Sequence, residues 1–87
     1  MAKLWRPYQI SNSTGTWETD DPARADVLDW FKVEQWSRDG NAVERLLWAG
    51  NRIEVARETF DAVLKHRPRG RYTIRQGSSV LAKWPDE

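Results

Sequence analysis

The stretch Asn51 to Leu81, NRIEVARETFDAVLKHRPRGRYTIRQGSSVL, holds one amphipathic helix and the start of one hairpin, and the remaining residues have to fold around it. Ile53, Ala56, Phe60, Val63 and Leu64 recur at helical spacing and form a single apolar stripe. Arg52, Glu54, Arg57, Glu58, Asp61 and Lys65 take the other faces. The pattern predicts a helix from Arg52 to His66. Asn51 is placed to cap its first turn, with Glu54 three residues on completing a capping-box-like pair. Lys65, His66 and Arg67 complement the carbonyl end of the helix dipole, and Pro68 then forces the chain out of helix.

A helix with one apolar stripe needs a second layer to bury it, and the flanking segments read as strands. After the helix, Tyr72 and Ile74 alternate with Arg71, Thr73 and Arg75; Gly77-Ser78-Ser79 turns the chain, and a strand from Val80 to Trp84 returns before Pro85. Before the helix, alternation favours a strand from Leu28 to Trp36, and Asp39-Gly40 suggests a tight hairpin connection to a strand from Ala42 to Trp48. Asp21-Pro22 reads as a helix opening with one helical turn over Ala23 to Asp26. Nearer the N-terminus, Leu4 to Ile10 reads as a strand confined to an edge by Pro7, Ser11 to Gly15 as a turn, and Thr16 to Thr19 as a short return strand. The expected fold is a single α+β domain spanning residues 1–87. A mainly antiparallel sheet of about four to six strands would carry one principal helix on one face.

Several function classes lose ground on composition alone. Without cysteine there is no disulfide framework, thiolate metal site or thiol nucleophile. No apolar run is long enough for an export signal or a bilayer span, which makes a reducing, cytoplasmic setting the expectation and a membrane partner an unexpected one. His66 is the only histidine and lies between two cations, so a nucleophile–histidine–acid set has no orienting carboxylate close by in sequence. Asp20 and Asp21 are adjacent acids before a proline, which suits a cap and a solvated loop better than acid–base work. The five glycines are scattered among turns and build no phosphate loop. No catalytic residue, metal site or small-molecule cofactor is expected.

The charge distribution says more than the net +1. From Trp17 to Asp39 seven acids face three basic residues, whereas from Ala62 to Trp84 six basic residues meet no acid. Ten arginines, four lysines and six tryptophans in 87 residues give more rings and guanidinium groups than a core this small can enclose. Trp and Arg are also the residue types that dominate interface energetics. The expectation is a non-enzymatic interaction protein of adaptor or inhibitor type. It would dock on a larger protein or assembly, or self-associate as a homodimer, through Trp36, Trp48, Arg67, Arg69, Arg71, Arg75 and Trp84. The alternative is a single-stranded nucleic-acid-binding module using the basic segment 65–75, with Tyr72 or a Trp as stacking surface.

Overall fold

The computed structural model describes residues 16–86. The expected strand over Leu4 to Ile10 and the turn over 11–15 lie outside the described residues. The first element is a short helix, α1 (Pro22–Val27), with Pro22 at its first position. The Asp21 carboxylate accepts from the amides of Ala23 and Arg24 at 3.0 and 3.4 Å. The strand expected from Leu28 starts later. Leu28 is the C-cap of α1 and Asp29 sits at φ 60°, a left-handed conformation that an extended strand does not contain. Strand β1 is therefore Phe31–Trp36.

Strand β2 (Val43–Gly50) returns after a longer connection than the tight turn expected. Asp39 spends its carboxylate on Ser37 and Asn41, and the Ser37 amide reaches the Ala42 carbonyl at 2.7 Å, so residues 37–42 close as one loop with Gly40 at φ 78°. Helix α2 (Ile53–His66) buries Ala56 and Phe60. Its N-cap is Arg52, with no side-chain cap bond. Asn51, expected to cap, uses its side-chain oxygen to accept the Trp17 amide at 2.8 Å. Strands β3 (Arg71–Gln76) and β4 (Ser79–Trp84) form a hairpin whose first turn residue, Gly77, adopts φ 59°. Thr16 to Thr19 makes no strand of its own. Glu18 forms an isolated bridge with Gly50, and a Cβ at Gly50 would collide with the Trp17 carbonyl, so glycine is what lets this segment lie so close.

All three strand pairs are antiparallel, in the order β2-β1-β3-β4. The result is a small α+β fold with four strands and one main helix. Val33, Tyr72 and Ile74 on one sheet face meet Ala56 and Phe60 of α2, with Phe31, Leu47, Trp48, Ile53, Val63, Leu64 and Ala82 packed around them. Among the described residues no helix is long and apolar enough to cross a membrane.

The other face of the sheet is polar yet buried at its centre. Glu34, 2% exposed, accepts two bonds from Arg75 (2.6 and 2.8 Å) and one from the Thr73 hydroxyl (3.1 Å). Thr73 in turn accepts the Trp36 indole N–H at 2.9 Å, and the Arg75 guanidinium lies 5.7 Å from the centre of the Trp36 ring. Lys32, 3% exposed, joins from the side, 3.6 Å from Glu34 and 2.7 Å from Asp26 of α1. The pair with Glu34 holds the Arg75 guanidinium above its ordinary pKa. Removing the acid would leave Arg75 without its carboxylate and Lys32 with Asp26 alone. Arg75 keeps a quarter of its side chain in water, which softens the loss. Glu34→Ala is expected to lower stability by about 3 kcal/mol in urea unfolding; a loss under about 1 kcal/mol would show that the network adds little beyond surface pairing.

Candidate functional site

Where β1 ends and β3 begins, the ladder sets Trp36 opposite Arg71. Residues 35 positions apart in sequence thus become neighbours at one end of the sheet. Around them opens a concavity of about 530 Å³, lined among others by Trp36, Arg38, Glu44, Arg67, Arg69 and Arg71. A second hollow of about 320 Å³ shares Trp36, Arg71, Tyr72 and Pro85 with the first and adds Asp39, Lys83 and Trp84. The two form one bipartite groove along the sheet end.

Three local devices aim the groove's side chains. The first fixes Arg71, whose Nε donates to the Arg38 carbonyl at 2.8 Å and ties the β1–β2 loop to the start of β3. The second holds the turn after α2. The Tyr72 hydroxyl donates to the Arg67 carbonyl at 3.0 Å, and the Trp84 indole N–H donates to the Pro68 carbonyl at 2.9 Å. That backbone is pinned while the side chains of Arg67 and Arg69 stay exposed. The third is an irregularity of β2. Gln35 pairs with Arg45 and Trp36 with Val43, so Glu44 is the unmatched residue of a bulge and is carried to the groove wall, where it accepts from Gln35 at 3.3 Å.

Four guanidinium groups thus share the larger hollow with one carboxylate, giving a local excess of positive charge that the chain's net +1 conceals. Among the described residues, neither Arg67 nor Arg69 has a carboxylate within ion-pair distance. Asp39 contributes a negative charge to the smaller hollow. Hydrogen bonds from the Ser37 hydroxyl first, and the Asn41 amide next, hold its carboxyl below the ordinary aspartate range. Because the folded value is the lowered one, the stability this loop gains is present above the ordinary aspartate pKa and lost as pH falls through the lowered value.

Of the seven residues singled out in the sequence, Trp36, Arg67, Arg69, Arg71 and Trp84 come together here. Arg75 lines neither hollow; it lies 5.7 Å from the centre of the Trp36 ring and is engaged by Glu34. Trp48 lies elsewhere, its indole N–H donating to Glu18 at 2.8 Å and its ring close to Gly50. Arg38 and Glu44 were not foreseen, since only the strand register brings them in. Trp17 and Trp84 are the most accessible indoles among the described residues, at 48% and 40%, while Trp30, Trp36 and Trp48 are half-buried. Among the described residues no three His, Asp or Glu side chains lie together as metal ligands. Compared with family models, curated proteins and solved structures, the chain shows no match.

Gly70 is the tightest point of the groove wall, because a Cβ there would overlap the hydroxyl of Tyr72, a ring that is itself fully buried. Gly70→Ala should displace Tyr72 from the Arg67 carbonyl and cost about 2 kcal/mol in thermal or urea unfolding, combining strain with a lost hydrogen bond. Unchanged stability together with an unchanged Tyr72 environment by NMR would mean that the turn yields freely.

Proposed function

We propose that the protein is a non-enzymatic interaction module that docks on a larger protein by receiving a carboxylate-bearing segment in the groove at the Trp36–Arg71 end of its sheet. The observation that carries this is the convergence of Arg38, Arg67, Arg69 and Arg71 on one hollow with Glu44 as the lone acid. A guanidinium fork meets a carboxylate through two parallel N–H···O bonds, and its charge assistance makes such bonds roughly twice as strong as neutral ones. Trp36 and Trp84 add flat apolar area beside the charges, the combination found at interface hot spots. A backbone already pinned by Tyr72 and Trp84 lowers the ordering cost of binding. The absence of cysteine is compatible with the reducing, cytoplasmic setting proposed for such a partner.

Single-stranded nucleic acid fits the same groove less well. Base stacking needs several open ring faces, yet the Trp36 ring already carries Arg75 and Tyr72 is buried, which leaves Trp84 to supply one.

A fluorescent oligoglutamate peptide tests the proposal. It should bind the wild-type chain, and Arg67→Glu combined with Arg69→Glu should weaken binding by at least about tenfold without unfolding the protein, since both side chains are exposed. Trp48→Phe should leave binding unchanged. Equal peptide affinity in the double arginine variant would exclude the groove, and tighter binding of an oligothymidylate with a steep salt slope would favour nucleic acid instead.

A further inference from the structure

The two edges of the sheet are treated differently. At the β2 edge the chain itself intervenes: Glu18 bridges to Gly50, and the Thr19 amide donates to the Ala49 carbonyl at 3.0 Å. Beyond β4, among the described residues, no strand pairs. Edges left open are ordinarily guarded by charges, proline or bulges. The six residues of β4 carry a single charge, Lys83, and one bulge, at Leu81, which falls between the pairs Ile74–Ala82 and Arg75–Val80. Val80 and Leu81 stand 52% and 42% exposed, and Trp84 joins them. This edge is apolar, short and thinly defended.

Charge is also graded along β4. Its Trp84 end abuts the groove, with Arg69, Arg71 and Lys83 lining the two hollows there. Its Ser79 end adjoins Gly77, where the Asp29 carboxylate lies within 3.6 Å of the position a Cβ would occupy, and Gln76 donates to the Asp29 carbonyl at 3.0 Å. At the Trp84 end the arginines and Lys83 outnumber the acids Asp39 and Asp86, whereas the Ser79 end has the single carboxylate of Asp29 beside it. A parallel copy would set basic end against basic end, whereas an antiparallel copy sets each basic end beside an acidic one, twice over by symmetry.

We infer that the occupant of this edge is a second copy of the same chain, paired antiparallel through β4 about a two-fold axis near Leu81. Such an isologous contact satisfies both free edges at once and closes, leaving no strand edge at the junction to recruit a third chain. An axis at Leu81 stacks the two Leu81 residues, places Val80 beside Ala82 of the other copy, and sets Lys83 across from Ser79 and not across from a like charge. The two sheets then run on as one of eight strands, and Asp29 of each copy approaches the arginine groove of the other. This inference borrows from the proposed function only the positive charge of the groove; what it needs besides is the strand edge.

Sedimentation across micromolar to millimolar concentration tests it. The wild-type chain should approach twice the 10.2 kDa of one copy, and association should weaken several-fold from low to moderate salt as the paired charges are screened. Val80→Lys with Leu81→Lys restores a charged edge at two exposed positions, so the fold survives and the dimer should fall to monomer. Asp29→Asn tolerates the positive φ and should weaken association less, through the charge alone. A wild-type chain that stays monomeric throughout, or a dimer indifferent to the two lysines, overturns the inference. Oligoglutamate binding to the wild-type chain separates the two claims: a wild-type chain that binds the peptide but stays monomeric leaves the groove standing without the edge, and one that dimerises without binding the peptide leaves the edge standing without the groove.

Discussion

The central pairing of β1 with β3 is the constraint on which the rest of this structure depends. Its register, with Val33 opposite Ile74 and Glu34 opposite Thr73, decides what happens on both faces of the sheet. On one face it assembles the apolar floor on which Phe60 and Ala56 of α2 come to rest. On the other it brings Glu34 to Arg75 and Thr73, and through Thr73 to the Trp36 indole. A slip of one residue would turn Val33 to the polar side and leave Glu34 against the helix. Buried charge here acts with the apolar core as a selector of register, because either misplacement is costly.

The same register makes the groove. Trp36 and Arg71 are the last matched pair of the β1–β3 ladder, and the segments that leave the sheet at that point, the 37–42 loop and the turn from Arg67 to Gly70, supply the remaining arginines. Side-chain hydrogen bonds from neighbouring strands pin both: one from Arg71 to the loop, and one each from Tyr72 and Trp84 to the turn. Backbone is thus held by strands while guanidinium groups face outward. Positively charged side chains on a pinned backbone would leave little to order on arrival of the carboxylate segment proposed as ligand.

Much of this could be read in advance wherever the signal is local. The stripe Ile53, Ala56, Phe60, Val63, Leu64 foretold α2 nearly to its ends, and the alternation around Gly77 foretold the β3–β4 hairpin. The basic turn at 67–71 was visible as a run. Local periodicity carries no information about which strands pair, however, and that is where foresight failed. Arg38 and Glu44 enter the groove through pairing and a bulge, Arg75 is taken up by an acid 41 positions away, and Trp48 is carried to the far end by the sheet order. At the start of α2, Asn51 looked like the cap by residue type, but a tertiary partner, the Trp17 amide, claimed its side chain. Leu28 to Trp30 misled for a similar reason, since an apolar alternation cannot reveal the left-handed residue at Asp29 that breaks it.

The molecule therefore has two kinds of surface: an arginine groove built where the sheet ends, and a lightly guarded strand beside it. The most direct test of the account is to follow the indole N–H resonances while an oligoglutamate peptide is titrated in. Trp36 and Trp84 border the groove and Trp48 does not, so the first two should shift and saturate together while Trp48 stays still. Movement of Trp48 alone, or of none of them, would contradict the claim that carboxylates are received at the Trp36–Arg71 end of the sheet.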